Sequence, residues 1–291
     1  MHKYIFLLFI FLSPLLFSKP FVIGRIDTNP IKTTIELQAM ADYIANEIDR
    51  YTSGEVLAVK NYTELKAGMI SGRIDWVTDT GLIAAKLESD GLARAVLLKW
   101  KKGQASYQSL LLVKKESIYR HIHDLTGKKV ALEDPSSTSG YFVPMLMFKQ
   151  YGIKVNMLER LNGTVSTDAI NYVRFDDEED SVFWLDKGLV EALATSSTDW
   201  DKKQRYADYY RSQFRVLQRS EDIPRAFEIA SNKLPLSLVE KVKSIQLVME
   251  KKAPDILKKY EGTTKFELLA PYHKKWLRNA VVKVKEGLSE K

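Results

Sequence analysis

The chain has 291 residues, of which 45% are hydrophobic and 28% are charged, and its formal net charge is +7. This length predicts roughly two domains. The absence of cysteine excludes disulfide bonds and lipid attachment through a thiol. The lysines are spread over several segments without interleaved aromatic residues, so we interpret them as solvated surface residues and expect no nucleic-acid partner. A positive field of this kind speeds the capture of a small anion.

The N-terminal residues have the layout of a secretory signal peptide. A lysine at position 3 precedes an apolar run over 4–17, which is short for a membrane span. We predict a signal peptide over residues 1–18, with cleavage after Ser18. An uncleaved anchor remains the alternative, because Leu16 is larger than the residue usual before such a site. The mature protein is expected to be a monomer that is free in the periplasm.

From Phe21 onward, short β-branched runs alternate with helical patterns, which predicts an α/β fold with largely parallel sheets. The predicted strands are 21–26, 55–60, 74–78, 93–99, 106–114, 129–132 and 154–161, and the predicted helices are 31–52, 62–71, 81–87, 141–151 and 167–173. After Pro235 the pattern predicts amphipathic helices to the last residue, with breaks at Pro254 and near Gly262.

Four hydroxyl residues, Ser136 to Ser139, stand between the predicted strand 129–132 and the predicted helix 141–151. The first turn of a helix leaves backbone N–H groups unpaired and carries the positive end of the helix dipole. Ser137, Thr138 and Ser139 are therefore candidates to hold a phosphate-like anion together with those N–H groups. The alternative is an ordinary helix cap, because serine and threonine are favoured at that position.

The run from Asp134 to Gly140, followed by Val143 and Pro144, resembles the signature of the phosphate, phosphite and phosphonate-binding proteins of bacterial ABC transporters. Looser similarity to the same family lies at Asn61–Tyr62, Gly72–Asp75, Tyr107–Val113 and Ser220–Pro224. The resemblance implies a two-lobed periplasmic binding protein of type II. Each lobe would be a mostly parallel sheet flanked by helices, with the ligand in the cleft between the lobes. It also implies an ABC permease in the inner membrane as partner.

We divide the mature chain into three parts on this basis. Residues 19–114 are predicted to form the first part of lobe 1, residues 115–213 lobe 2, and residues 214–291 the return to lobe 1 with C-terminal helices. The predicted strand 106–114 would lead towards the second lobe, and residues 214–218 would carry the chain back. Two such crossings form a hinge. Ligands in open α/β sheets collect at the carboxyl ends of strands, so the site is expected to face the cleft.

Two tyrosines stand at junctions between predicted elements. Tyr62 begins the helix after the second strand, and Tyr107 starts the crossing strand. The resemblance implies that tyrosines at these places donate hydrogen bonds to the oxyanion or line its cleft. The alternative is that both are rim or core aromatic residues, which is the commoner role of tyrosine.

Two aspartates are also candidate ligand-binding residues. Asp199 follows an apolar run, and a carboxylate there would accept the hydrogen bond of a singly protonated oxyanion or pair with a ligand ammonium. Alternatively, Asp199 caps a helix over 200–211. Asp79 stands where the resembled family usually has an uncharged turn. It would either cap the next helix or meet a cationic part of the ligand.

The second lobe departs from the resembled family in two places. Thr167 matches a position where the family often has a histidine, which keeps a donor but loses a switchable charge. The acidic run 176–180 lacks the spacing of a known calcium loop, so we interpret it as a solvated turn. His121 and His123 have no further ligands nearby in the sequence, and we expect no metal site and no cofactor.

These observations predict a periplasmic receptor that closes two lobes around a small phosphorus oxyanion and passes it to an ABC permease. Phosphate-loop and nucleophile-elbow patterns are absent, and no base partner is evident near Ser137. We therefore expect a binding protein and not an enzyme. Two alternatives remain: an input module for a membrane sensor kinase, and an enzyme that acts on a phosphorylated small molecule.

Overall fold

The computed structural model describes residues 19–175, 178–202 and 206–288. The predicted signal peptide and residues 176 and 177 of the acidic run lie outside this range. Within it, the strands form two six-stranded sheets and one two-stranded ribbon. None of the helices in these ranges is both long and apolar enough to cross a membrane.

Strands and helices alternate along most of the chain. The strands are β1 (Lys19–Ile26), β2 (Tyr51–Val59), β3 (Trp76–Asp79), β4 (Ala93–Lys101), β5 (Ser106–Tyr107), β6 (Ser109–Lys114), β7 (Lys129–Leu132), β8 (Lys154–Leu158), β9 (Ala169–Arg174), β10 (Ala192–Ser196), β11 (Phe214–Arg219), β12 (Ile223–Pro224), β13 (Phe227–Ser231) and β14 (Thr263–Leu268). The helices are α1 (Pro30–Asn46), α2 (Tyr62–Ser71), α3 (Gly81–Ser89), α4 (Val143–Gln150), α5 (Glu178–Lys187), α6 (Ser197–Trp200), α7 (Asp208–Gln213), α8 (Leu236–Lys252), α9 (Pro254–Lys259) and α10 (Pro271–Lys285).

The first sheet has the strand order β14-β4-β13-β3-β1-β2. Strand β1 pairs in parallel with β2 and β3, and β13 lies antiparallel between β3 and β4. Helices cover the sheet, so its central strands are buried, as in Phe21, Ile23 and Trp76. Burial on both faces explains why these strands appear in the sequence as apolar runs without alternation.

The second sheet has the order β11-β6-β10-β7-β9-β8. Strands β7 to β10 run parallel, whereas β6 lies antiparallel to both of its neighbours, β10 and β11. The core of this lobe includes Leu110, Leu112 and Leu193, all fully buried. Both lobes are thus mixed α/β layers in which most strands run in one direction, as the sequence predicts.

The chain crosses between the sheets at β5 and β12, which pair with each other, Ile223 opposite Tyr107. Strands β6 and β11 both belong to the second sheet. The lobe boundaries at residues 114 and 214 stay predictions; in the structure the chain passes between the sheets near residues 105–108 and 220–226. Long-range pairing of β6 with β10 and β11 decides this, and no local pattern encodes it.

Some predicted elements are confirmed and others are not. Helix α2 has the predicted bounds, because the Asn61 side chain accepts the Glu64 N–H (3.0 Å) and Gly72 ends the helix at φ 76°. The predicted helix 167–173 is instead strand β9, which pairs with β7 and β8. Periodicity does not separate a short buried strand from a helix. Strand β14 interrupts the predicted C-terminal helices, and α1 ends earlier than predicted.

Candidate ligand-binding cleft

A cleft of about 860 Å³ lies between the two lobes. Its walls come from the carboxyl ends of β1, β3, β4, β7 and β10, together with residues beside the two hinge strands. Ligands collect at this edge in open α/β sheets, and the volume falls within the usual range for a small-molecule site. The cleft is therefore the candidate binding site.

The wall from the second lobe carries neutral hydroxyl groups. We call it the hydroxyl wall: Ser137, Thr138, Ser139, Ser196 and Thr198. Residues 138–142 form a π-helical turn that runs into α4, a distortion that is frequent at functional sites. The Ser137 hydroxyl accepts the Gly140 N–H (3.0 Å), so Ser137 is the helix cap and also lines the cleft. Ser137 therefore fits the helix-cap interpretation and also has the position that the anion-site interpretation requires.

Thr138 connects this wall to the other lobe. Its side chain is buried, and its hydroxyl accepts the backbone N–H of Leu82 at the start of α3 (3.0 Å). The buried Tyr107 also lines the cleft beside Thr138 and Ser139, and burial raises the pKa of its hydroxyl. Tyr107 is therefore a neutral phenol at neutral pH. The two lobes therefore meet at the hydroxyl wall.

Both predicted aspartates line the cleft. Burial raises the pKa of Asp79, against the opposing charge of Arg25, and its carboxylate accepts the Thr80 N–H (2.6 Å). Asp199 lies in the first turn of α6, where it accepts from the Ser196 hydroxyl and pairs with Lys202, both at 2.6 Å. Among the described residues of the predicted helix 200–211, α6 ends at Trp200 and α7 begins at Asp208, so the prediction of one helix from 200 is wrong for residues 201, 202, 206 and 207.

The structure does not bring Tyr62 or Thr167 to the cleft. The Tyr62 hydroxyl donates to Asp90 (2.9 Å), and the Lys86 ammonium lies over the Tyr62 ring. Thr167 is exposed in the loop before β9, where its backbone packs against Gly127. Neither residue lines the cleft, and their contact with a ligand stays a prediction. Each followed from a match in sequence, which does not fix the direction of a side chain.

The wall from the first lobe is cationic, and no motif in the sequence predicts it. We call it the lysine wall: Lys32, Lys101, Lys102, Lys258 and Lys259. These residues come from α1, from the end of β4 and from α9, so they are distant in sequence. Their only signal in the sequence is position, since Lys101 ends a strand and charged side chains there face the cleft.

Glu261 holds the base of the lysine wall together. Its carboxylate, 4% exposed, pairs with Arg25, Lys99 and Lys101. Burial works to raise the pKa of Glu261, but these three cations hold it well below its usual range. Arg25 and Lys101 remain partly exposed and line the cleft. One buried carboxylate thus fixes two cations at the cleft surface.

A second buried carboxylate, that of Glu228, is linked through Thr78 to Lys99, one of the three partners of Glu261. Glu228 accepts hydrogen bonds from Trp76 (2.6 Å), Thr78 (2.7 Å) and Gln246 (2.8 Å), and burial raises its pKa. The Thr78 hydroxyl in turn accepts from the Lys99 ammonium (2.5 Å). Lys99 is fully buried, so interpreting it as a solvated surface lysine is wrong. A buried charge of this kind is tolerated only when it is paired and hydrogen-bonded.

Arg225 is a further cation of the cleft that no sequence motif indicates. It follows the hinge strand β12 and lines the cleft, and its guanidinium lies 4.9 Å from the centroid of the Tyr107 ring. Its Nε atom is buried without a hydrogen-bond partner. Within the described ranges, Arg225 forms no ion pair. An unsatisfied buried donor is costly, so this side chain is ready to accept an anionic partner.

The cleft carries an excess of positive charge. Among the described residues, eight cationic side chains and five carboxylates line it, which leaves three positive charges uncompensated. A cleft with this balance attracts anions over a distance. No group of three or more potential metal ligands occurs in the part of the chain that the structure describes.

The two-lobed α/β architecture with a cleft at the hinge defines a type II periplasmic binding protein. The family model for the periplasmic phosphonate substrate-binding proteins of ABC transporters matches residues 27–272. The chain belongs to this family, whose members bind a substrate in the periplasm and work with a permease.

Individual relatives agree with this assignment. The chain is 24% identical over 227 residues to the phosphate-import protein PhnD of Mycolicibacterium smegmatis, covering 74% of this chain and 68% of that protein. Among solved structures, XAC2383 from Xanthomonas citri bound to ATP is 26% identical with a TM-score of 0.87, covering 92% of this chain and 98% of that one. PhnD1 from Prochlorococcus marinus in complex with methylphosphonate shares the fold, with a TM-score of 0.65 at 14% identity over 91% of this chain and 98% of that one.

Proposed function

We propose that this protein is the periplasmic receptor of an ABC importer and that it captures a ligand through a phosphorus oxyanion. The observation that carries the proposal is Arg225, a cation without an anionic partner beside a wall of hydroxyl groups and a helix N-terminus. A tetrahedral oxyanion satisfies all three kinds of donor at once.

In this proposal the ligand is bound both by positive charge and by neutral hydrogen-bond donors. Arg225 supplies a forked set of N–H donors, which suits the paired oxygens of a phosphate or phosphonate. Ser137 and Ser139 line the cleft and supply hydroxyl donors, and the first turn of the helix supplies backbone N–H groups. The carboxylates Asp79 and Asp199 stay candidates for contact with a protonated oxygen or a cationic part of the ligand. Closure then buries the anion with its acceptors satisfied.

The relatives support a phosphorus-containing ligand. One curated relative is a phosphate-import protein, and the solved relative with the high structural similarity was bound to ATP. Phosphate and ATP share a tetrahedral phosphorus group, which is the chemistry that the hydroxyl wall and Arg225 fit.

The same proposal includes export of the protein to the periplasm and a permease as its partner. Residues 1–18 act as the signal peptide, and an inner-membrane permease receives the ligand. The protein works as a monomer that binds and releases without reaction. In support of binding over catalysis, the Ser137 hydroxyl serves as a helix cap and has no histidine beside it among the described residues.

The test is a calorimetric titration with orthophosphate, phosphite, methylphosphonate and sulfate. We expect a phosphorus oxyanion to bind and sulfate to bind more weakly. In Arg225→Gln the affinity should fall by about 10- to 100-fold, the scale of charge-assisted hydrogen bonds. The matched control is Arg278→Gln, an exposed arginine of α10 that does not line the cleft. Equal affinities in the two variants, or no binding of any phosphorus anion by the wild type, would refute the proposal.

A further inference from the structure

We infer that the cleft contains a second anion subsite, formed by the lysine wall, and that the ligand carries a chain of linked phosphate groups. This inference rests on the proposed function, because it takes the hydroxyl wall and Arg225 as the first subsite. It then names the class of ligand: an inorganic or organic polyphosphate and not a single oxyanion.

The first observation is volume. The cleft between the lobes, which is open to solvent on one side, has a volume of about 860 Å³. An ion of five heavy atoms fills only about 150 Å³ if each heavy atom occupies the space of a water molecule in the liquid. A single phosphate or methylphosphonate would therefore leave most of the cleft to solvent. A ligand with three linked phosphate groups, or one attached to an organic part, fits the available space better.

The second observation is the distribution of charge. Arg25, Lys99 and Lys101 share the carboxylate of Glu261. The remaining lysines of the wall, Lys32, Lys102, Lys258 and Lys259, have no ion-pair partner among the described residues. Four unpaired cations of the cleft thus lie on the first lobe, opposite the hydroxyl wall. One oxyanion at Arg225 and the hydroxyl wall would leave these lysines without a counter-charge.

The backbone holds this second subsite in place. Lys102 and Glu261 are the two non-glycine residues with positive φ in the described ranges, at 55° and 56°. The Lys102 N–H donates to the Gly262 carbonyl (2.8 Å), which joins the end of β4 to the segment that follows α9. Such backbone conformations are unfavourable outside glycine and persist where the surroundings enforce them. Lys101 and Lys102 on one of the joined segments and Lys258 and Lys259 just before the other all line the cleft.

The alternative explanation is that these lysines are ordinary solvated residues. They are indeed exposed at the cleft edge. However, a solvated surface normally mixes both signs of charge, and this edge has four cations without a paired carboxylate in the described part of the chain. An exposed lysine keeps its charge in water, and its stem reaches a bound anion without prior burial. The two explanations therefore differ in whether the affinity rises with the number of linked phosphate groups in the ligand.

The experiment compares phosphate chains of increasing length by calorimetry, without divalent cations. The probes are orthophosphate, pyrophosphate, tripolyphosphate and a nucleoside triphosphate. We expect the affinity of the wild type to rise about tenfold with each added phosphate, the scale of a charge-assisted contact. Binding of tripolyphosphate and of the nucleoside triphosphate distinguishes an inorganic from an organic source, and tight binding of either supports the inference.

Charge-removing variants locate the effect. In the double variant Lys258→Gln and Lys259→Gln, the gain from chain length should fall by about tenfold or more, while orthophosphate affinity stays within about twofold. The matched control is Lys251→Gln and Lys252→Gln, the adjacent exposed pair at the end of α8, which does not line the cleft. The control should retain the full gain.

The outcomes separate the inference from the proposed function. If orthophosphate or methylphosphonate binds through Arg225 but affinity is independent of chain length, the inference is overturned and the proposed function stands. An equal loss of affinity in both lysine double variants would also overturn it, because the effect would then be net charge alone. If no phosphorus anion binds the wild type, both fail.

Discussion

The two walls of the cleft offer different groups to an anion. The hydroxyl wall of the second lobe offers neutral donors and a helix N-terminus from a short continuous segment. The lysine wall of the first lobe offers charges that are collected from α1, β4 and α9. Neutral donors select for the geometry of the oxyanion, whereas charges attract anions of many shapes. The difference predicts that one wall controls specificity and the other controls total charge.

The walls also differ in what holds them. The hydroxyl wall is shaped by local hydrogen bonds such as that from Gly140 N–H to the Ser137 hydroxyl. The base of the lysine wall depends on one buried carboxylate, Glu261, that balances three cations. Its loss would leave buried charges without compensation, which costs far more than one local hydrogen bond.

The largest expected effect is therefore on the stability of the first lobe. Glu261→Gln should lower the free energy of unfolding by about 3–5 kcal/mol, because Arg25, Lys99 and Lys101 lose their shared partner. Denaturant unfolding at neutral pH measures this change. The control Glu267→Gln removes a partly exposed carboxylate of β14 whose lysine partner is 3.7 Å away, and should cost less than about 1 kcal/mol. Similar losses in both variants would contradict the role of Glu261.

A smaller effect is expected at the hydroxyl wall. Thr138→Ala removes the hydroxyl that accepts the Leu82 N–H from the other lobe and lines the cleft. Affinity for a phosphorus oxyanion should fall by about 1–3 kcal/mol, with the overall fold retained. Calorimetric titration beside a circular dichroism spectrum measures both. Thr138→Ser keeps the hydroxyl and should bind almost as the wild type does; affinity that is unchanged in the alanine variant would remove Thr138 from the site.

The smallest expected effect is a pH dependence of ligand affinity that comes from Lys101 of the lysine wall. Burial, with the nearby charges of Lys99 and Arg25, lowers the pKa of Lys101 to about 8 against the opposing pull of Glu261. Lys101 is therefore cationic below that pH and loses its charge as the pH rises through it. Affinity for the tightest-binding phosphorus anion should fall severalfold between about pH 8 and 9.5, because a bound anion favours the charged lysine.

Proton uptake on binding gives a direct reading of this effect. Calorimetry in buffers of different ionisation enthalpy should show protons taken up above pH 8 in the wild type and fewer in Lys101→Gln. The variant also controls for titration of the anion itself, since that contribution is common to both proteins. If proton uptake and affinity depended on pH in the same way in the wild type and in Lys101→Gln, Lys101 would not be the group that titrates on binding.

Much of the lobe architecture was predictable, because it depends on local patterns. The bounds of α2 and β7 follow from a cap, a terminal glycine and a short apolar run. Of the predicted site residues, Asp79, Tyr107, Ser137, Thr138, Ser139 and Asp199 line the cleft. Each stands at a junction between elements, where a parallel sheet directs the chain towards its carboxyl edge. Their contact with a ligand remains a prediction.

What the sequence by itself determined was the family signature, the α/β alternation and the hydroxyl wall, since residues close in the chain encode all three. Only the tertiary structure decided the rest. It turned Tyr62 towards Asp90, made β9 a strand between β7 and β8, and buried Lys99 against Glu261. The lysine wall and Arg225 come together only when distant segments pair, and that pairing depends on long-range contacts that no local window of sequence contains.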